Sequence, residues 1–263
     1  HGNRIVVKVG TSTLTNELGQ SDLRSFDRIA CVLSDIRNKG YEVILVSSGA
    51  IAVGRNRLQM SEAPASLRMK QAAAAVGQCS IMFLYDKFFG DYDRITAQIL
   101  LNAEDIESEE KKTNLVNTFD TLLETGAIPV VNENDSVSYT EIESRERLFG
   151  DNDMLSAVVS VLVRADKLII LSDIDGLYDK DPRRFDDARL IERIEKIDES
   201  ILSFAGGTGS RRGRGGMKTK LQAASLASSE GIDTIVMNGK NPEKIYDILD
   251  GKTVGTLFVR QER

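Results

Sequence analysis

A chain of 263 residues with 41% hydrophobic and 28% charged content can bury a proper core, so it is neither disordered nor fibrous. Its 40 acidic against 34 basic residues give a net charge of -6, which argues against a general nucleic-acid binder, and no run is apolar for long enough to span a bilayer. The only histidine is His1, so histidine-dependent catalysis is excluded and any chemistry falls to Lys, Arg, Asp, Glu, Ser, Thr and backbone groups.

His1-Gly2 reads as the remnant of a cleaved tag, and no signal-peptide pattern follows it. Arg4 to Val9 is a β-rich run closed by the small-residue turn Gly10-Thr11-Ser12-Thr13. Ser21 to Asn38 has helical spacing through Leu23, Phe26, Ile29, Val32, Leu33 and Ile36, with Gly40 as its stop. Glu42 to Val46 is a second strand, ending in Ser47-Ser48-Gly49-Ala50. Pro64 to Phe89 predicts a long helix whose run Ala72 to Ala75 permits close packing, and Gly77 marks a break or a tight contact. Ile95 to Leu101 predicts a strand and Glu107 to Glu124 a charged, exposed helix. Cys31 and Cys79 fall in helical patterns without metal spacing, which suits a reducing, cytoplasmic setting.

The most informative stretch runs from Ile128 to Asp153. An apolar strand, Ile128 to Val131, ends in Asn132-Glu133-Asn134-Asp135, and a second cluster, Asp151-Asn152-Asp153, precedes the apolar helix Met154 to Val163. One strand end and one helix cap would explain each cluster alone. Two clusters bracketing one loop point to a bound polar ligand. Between them Val137 to Phe149 reads as a hairpin with the charged tip Glu143 to Arg147. Further strands are expected at Lys167 to Ser172, Thr234 to Met237 and Gly255 to Val259, and helices at Met217 to Ser229 and Pro242 to Leu249. Strands alternating with helices point to a parallel sheet with crossover helices, in one domain over residues 3–263.

Gly206 to Gly216 holds six glycines and three arginines ahead of Met217-Lys218-Thr219-Lys220. Met217 stands where a P-loop needs glycine, so this is a phosphate loop of another kind or a mobile basic loop. Lys8 either lies on a solvated strand face or aims its charge at an anion near the strand end. Ser172-Asp173 to Tyr178 is either a glycine-containing turn or a strand end that contacts a nucleotide.

Taken together, the motifs resemble the glutamate 5-kinases, a branch of the amino acid kinases. They are Val7-Lys8-Val9-Gly10-Thr11-Ser12, Ser47 to Gly54, Lys70-Gln71 with Val76-Gly77-Gln78, Asn132 to Asp135, Gly150 to Asp153, Asp173 to Tyr178 with Asp181-Pro182-Arg183, and Gly215 to Lys220. The match is colinear from about Ile5 to Val259. The resemblance implies a three-layer α/β/α sandwich around a largely parallel sheet. It also implies ATP- and magnesium-dependent phosphorylation of L-glutamate to L-glutamate 5-phosphate, the first step of proline synthesis. By resemblance Lys8 and Lys220 act on the transferring phosphoryl group and Asp153 orients them. Ser48, Gly49, Ala50, Asn134, Asp135 and Asn152 would bind glutamate. Lys8, Gly10, Ser172, Asp173, Arg214, Gly215, Gly216, Met217, Lys218, Thr219 and Lys220 would bind ATP, with no protein ligand set for a metal. Many members have Gly-Thr-Gly-Gly-Met in the glycine-rich loop, whereas Arg214 replaces the threonine here. The chain ends just after the kinase domain, so the C-terminal PUA domain of many bacterial members is not expected. Proline feedback inhibition and a dimer or tetramer are family traits that carry over. The rivals are an acetylglutamate or aspartate kinase, a non-catalytic sensor on the same scaffold, and a nucleic-acid module using Arg211, Arg212 and Arg214.

Overall fold

A computed structural model of the chain describes residues 2–137, 151–205 and 216–262. The chain opens with β1 (Arg4–Val9), a single turn α1 (Thr11–Leu14), α2 (Leu23–Asn38) and β2 (Glu42–Ser47). Asp22 caps α2 by accepting from Ser25 N–H, and Gly40 ends the turn after it at φ +91°, which favours glycine. Then come α3 (Ala50–Arg57), α4 (Leu67–Asp91), β3 (Thr96–Leu101), α5 (Ala103–Glu107), α6 (Glu109–Glu124) and β4 (Ile128–Glu133). The remainder is α7 (Asn152–Leu162), β5 (Lys167–Ser172), β6 (Arg193–Ile194), α8 (Glu199–Ala205), α9 (Gly216–Ser229), β7 (Asp233–Asn238), α10 (Lys244–Leu249) and β8 (Thr256–Phe258).

The strands form one eight-stranded sheet in the order β3-β4-β2-β1-β5-β7-β8-β6, parallel throughout except where β7 meets β8. Alternation in the strands sets the layers. Ile5, Val7 and Val9 join Val43 and Leu45 in an apolar cluster with α2, α4 and α10, while Val6, Ile44 and Val46 join a second cluster with α6, α7 and α9. Both faces of the central strands are covered, as a parallel sheet requires. The sandwich expected from sequence is the observed architecture.

Helices α3 and α4 cross almost backbone to backbone. A Cβ on Gly54 would lie 1.7 Å from the Ala73 carbonyl oxygen, and one on Gly77 would lie 1.6 Å from that of Ala50. Gly77 thus marks a tight contact inside a continuous helix and not a break. It also anchors the Ser48-Gly49-Ala50 turn, because Ala50 opens α3. Gly77→Ala must force the two backbones apart. We expect a loss of about 3 kcal/mol of stability, read by chemical denaturation, and unaltered stability would contradict this packing.

Several boundaries differ from the sequence expectations. The predicted Pro64 to Phe89 helix runs three residues later at its start, where the Ser66 hydroxyl accepts from Met69 N–H. The helix expected at Glu107 to Glu124 starts at Glu109 as α6, and Glu107 instead ends the separate α5, because Ser108 takes extended backbone and caps α6. Nor is α6 fully exposed, since Phe119 and Leu123 are buried against the core. The expected hairpin lies outside the described residues except for Val137. Both cysteines are free and solvent-exposed.

Candidate active site

Parallel strands bring Lys8 of β1, Ser48-Gly49 after β2, Asn132 to Asp135 at the end of β4, and Ser172-Asp173 at the end of β5 to one edge of the sheet. Open α/β sheets bind their ligands at that edge. Lys8 is two residues beyond Val6 and pairs in register with Val46 and Ile170, so it points to the face covered by α7 and α9. It is only 8% exposed, which excludes the solvated strand face.

Asp153 waits for it in the first turn of α7. Asp151 caps that helix, accepting from the N–H groups of Asp153 and Met154. The Asp153 carboxylate, 1% exposed, has Lys8 Nζ 2.8 Å from Oδ1 and Lys220 Nζ 3.2 Å from Oδ2. Lys220, also buried, comes from the second turn of α9, and the neighbouring Thr219 hydroxyl donates to Asp153 Oδ2 at 2.8 Å. Burial alone would push the Asp153 carboxyl up. The charges of Lys8 and Lys220, with the hydrogen bonds from Lys8 and Thr219, outweigh burial and hold it below the usual carboxylate range. Among the described residues, two cations against one anion leave an excess positive charge in a place largely withdrawn from water. An anion such as a phosphoryl group would balance it.

A second polar network adjoins the first. Asn152 Nδ2 donates to the Ser47 carbonyl at 2.9 Å, to Ser48 Oγ at 2.8 Å and to Asn132 Oδ1 at 3.1 Å. Gly49 takes φ +97° and caps α3 without a side-chain acceptor, so the first N–H groups of that helix are not claimed by a capping side chain. Ser47 Oγ lies 2.9 Å from the hydroxyl of buried Tyr85, whose pKa burial pushes upward. Beside this network is a cleft of about 490 Å³ whose wall includes Ala50, Gln78, Gln98, Asn134 and Asp135. Ser48, Gly49 and Asn152 are not part of that wall. Asn134 is held by its N–H to the Leu101 carbonyl and accepts from Ser136 Oγ.

The residues expected to bind ATP are spread more widely. Gly10 joins β1 to α1, and a Cβ there would stand 3.7 Å from Lys8 Nζ, an ordinary contact. Buried Ser172 accepts from Gly239 N–H at its carbonyl and approaches Asp173 Oδ1 with its hydroxyl at 3.3 Å, while Asp173 is exposed. Gly216 opens α9, Met217 packs half-buried against the core cluster, and Lys218 is exposed. Thr219 holds Asp153, a partner that sequence reasoning did not foresee. Arg214 and Gly215 lie outside the described residues. Gln78 and Asn132 were noted only as parts of motifs. Gln78 shares the helical spacing of buried Ile81 and Tyr85, and that spacing was the available signal.

A family model described as the amino acid kinase family matches residues 3–238. The chain belongs to the amino acid kinase family. Membership implies ATP as the phosphoryl donor. Among amino acid kinases, the chain is 55% identical over 259 residues to the glutamate 5-kinase of Clostridium perfringens, covering 98% of this chain and 96% of that protein. It is 48% identical over 262 residues to the glutamate 5-kinase of Listeria innocua, covering 100% and 95%. Among solved structures, a carbamate kinase from Giardia lamblia bound to AMP-PNP superposes with a TM-score of 0.69 at 18% identity, covering 99% of each chain. A UMP kinase from Ureaplasma parvum gives 0.66 at 16% identity, covering 99% of this chain and 100% of that one. These two likenesses speak for the fold alone.

Proposed function

We propose that this amino acid kinase transfers the γ-phosphoryl group of ATP to the side-chain carboxylate of L-glutamate, giving L-glutamate 5-phosphate for proline biosynthesis. The observation that carries this reading is the meeting of Lys8 and Lys220 on one buried carboxylate, next to the Ser48–Asn152 network, in a chain 55% identical to a named glutamate 5-kinase.

In the reaction a carboxylate oxygen of glutamate forms a bond to the γ-phosphorus. The bond from that phosphorus to the β–γ bridging oxygen breaks, and ADP leaves with the electron pair. The attacking carboxylate is already ionised at neutral pH, so no general base is needed. Lys8 and Lys220 neutralise charge on the transferring group, and Asp153 with Thr219 keeps Lys220 aimed. Gly10, Ser172, Asp173 and the segment Arg214 to Lys220 complete the nucleotide site. Among the described residues, the carboxylate that meets the lysines, Asp153, is already paired to both. Magnesium would therefore arrive with the nucleotide rather than on Asp153, and would supply charge screening for the phosphates.

At the acceptor end, Ser48 and the α3 N–H groups hold the α-carboxylate and Asp135 pairs with the ammonium group, with Ala50 and Asn134 on the wall of the adjoining cleft and Gly49 and Asn152 beside it. Asp135→Ala is expected to raise the KM for glutamate at least tenfold with a small change in kcat, and an unchanged KM counts against the assignment. A cytoplasmic setting, self-association and proline inhibition are part of the same proposal and rest on the resemblance. ADP release measured with glutamate, aspartate, acetylglutamate and carbamate tests the reading. Glutamate should be the only good acceptor, and preference for another member of the set would replace it.

A further inference from the structure

Gln78 is 9% exposed, on the face of α4 that otherwise buries Ala74, Ile81, Tyr85 and Phe89. An amide among such neighbours needs partners at both ends. Its Oε1 accepts from Asn132 Nδ2 at 3.0 Å and its Nε2 donates to Gln98 Oε1 at 3.2 Å. Asn132, 3% exposed, accepts at Oδ1 from the Glu133 N–H at 2.8 Å and from Asn152 Nδ2 at 3.1 Å. Two backbone groups fix the sense of this chain of amides. The Glu133 N–H can only donate and the Ser47 carbonyl can only accept, so Asn132 and Asn152 each have one allowed orientation.

The consequence reaches the acceptor pocket. Asn152 has two amide hydrogens for three acceptors, so Nδ2 is fully used, and Oδ1 has no donor among the described residues. Ser48 Oγ accepts from Asn152, which leaves the serine hydrogen to donate. Side by side, the pair offers one acceptor and one donor, as a ligand bearing both an ammonium group and a carboxylate requires.

We propose that Gln78 is a positioning residue for the amino-acid substrate, acting through Asn132 on Asn152 and Ser48. This rests on glutamate being the acceptor. Without the glutamine, Asn132 Nδ2 becomes a buried donor lacking a partner. The side chain then rotates to find one and gives up its bond to Asn152.

The test is a kinetic double-mutant cycle. Gln78→Met keeps volume and removes both amide ends. It should raise the KM for glutamate about fivefold, with kcat and the KM for ATP within about twofold of wild type. In an Asn152→Ala background the same change should have no further effect on the glutamate KM, because its route to the substrate is already cut. Asn132→Ala, one step nearer the pocket, carries the same cycle if Gln78→Met does not fold. Effects that simply add across the cycle would mean that Gln78 acts independently of Asn152, and an equal loss in both KM values and kcat would give it a packing role only; either overturns the proposal. Failure of the wild-type chain to turn over glutamate would instead overturn the functional reading beneath it.

Discussion

Lys220→Ala is expected to lower kcat about a thousandfold, close to 4 kcal/mol of transition-state stabilisation, while the KM for glutamate moves less than about twofold. Lys220 touches Asp153 and no member of the Ser48–Asn152–Asn132 network, so its loss leaves the acceptor pocket intact. What disappears is one of the two positive charges set against the migrating phosphoryl group. Steady-state kinetics with ATP and glutamate separate the two parameters. Wild-type turnover in the variant would remove Lys220 from the mechanism.

Asp153→Asn should fail in two ways at once. It leaves the Lys8 and Lys220 ammonium groups, both mostly buried, without their counter-charge, at a cost of about 3 kcal/mol in stability. It also frees both lysines to turn away, so kcat should fall by about two orders of magnitude or more. The effect has a pH signature. Asp153 titrates lower in the folded chain than in the unfolded one. Its stabilising contribution is thus complete above the unfolded carboxylate pKa and is lost as pH falls through the folded value. The stability gap between wild type and variant, measured by denaturation, should be constant near neutrality and shrink only in acid. A gap that widened on acidification would contradict the ion-pair account.

The strands were legible because each central one is a short apolar run ending in polar or small residues, and buried parallel strands need that pattern. The face on which Lys8 falls was not legible. A strand shows alternation but not which helices cover each side, and only the packing of α7 and α9 closed that question. The helix α3 was missed for a related reason. It packs on α4 through Gly54 and Ala50 carbonyl contacts, so it carries no apolar stripe to betray it. The two-residue β6 and the short α8 carry too little pattern to stand out. The two polar clusters around Asn132 and Asp153 did announce a ligand. Their division into an acceptor network and a lysine-binding carboxylate depends on contacts between residues 20 to 145 positions apart in sequence, which periodicity cannot supply. The family resemblance named Lys8, Asp153 and Lys220, and the structure puts these three in contact. Thr219, assigned to the nucleotide by the same resemblance, is engaged with Asp153.

An oxygen label tests most directly whether the two lysines serve transfer to a substrate carboxylate. Glutamate carrying 18O in its side-chain carboxylate is incubated with the enzyme, ATP and magnesium, and hydroxylamine is added to cleave any acyl phosphate at its carbonyl carbon. The phosphate released should carry one 18O atom, inherited from the attacking carboxylate. Unlabelled phosphate would mean that water and not glutamate takes the phosphoryl group, and the account would be wrong at its centre.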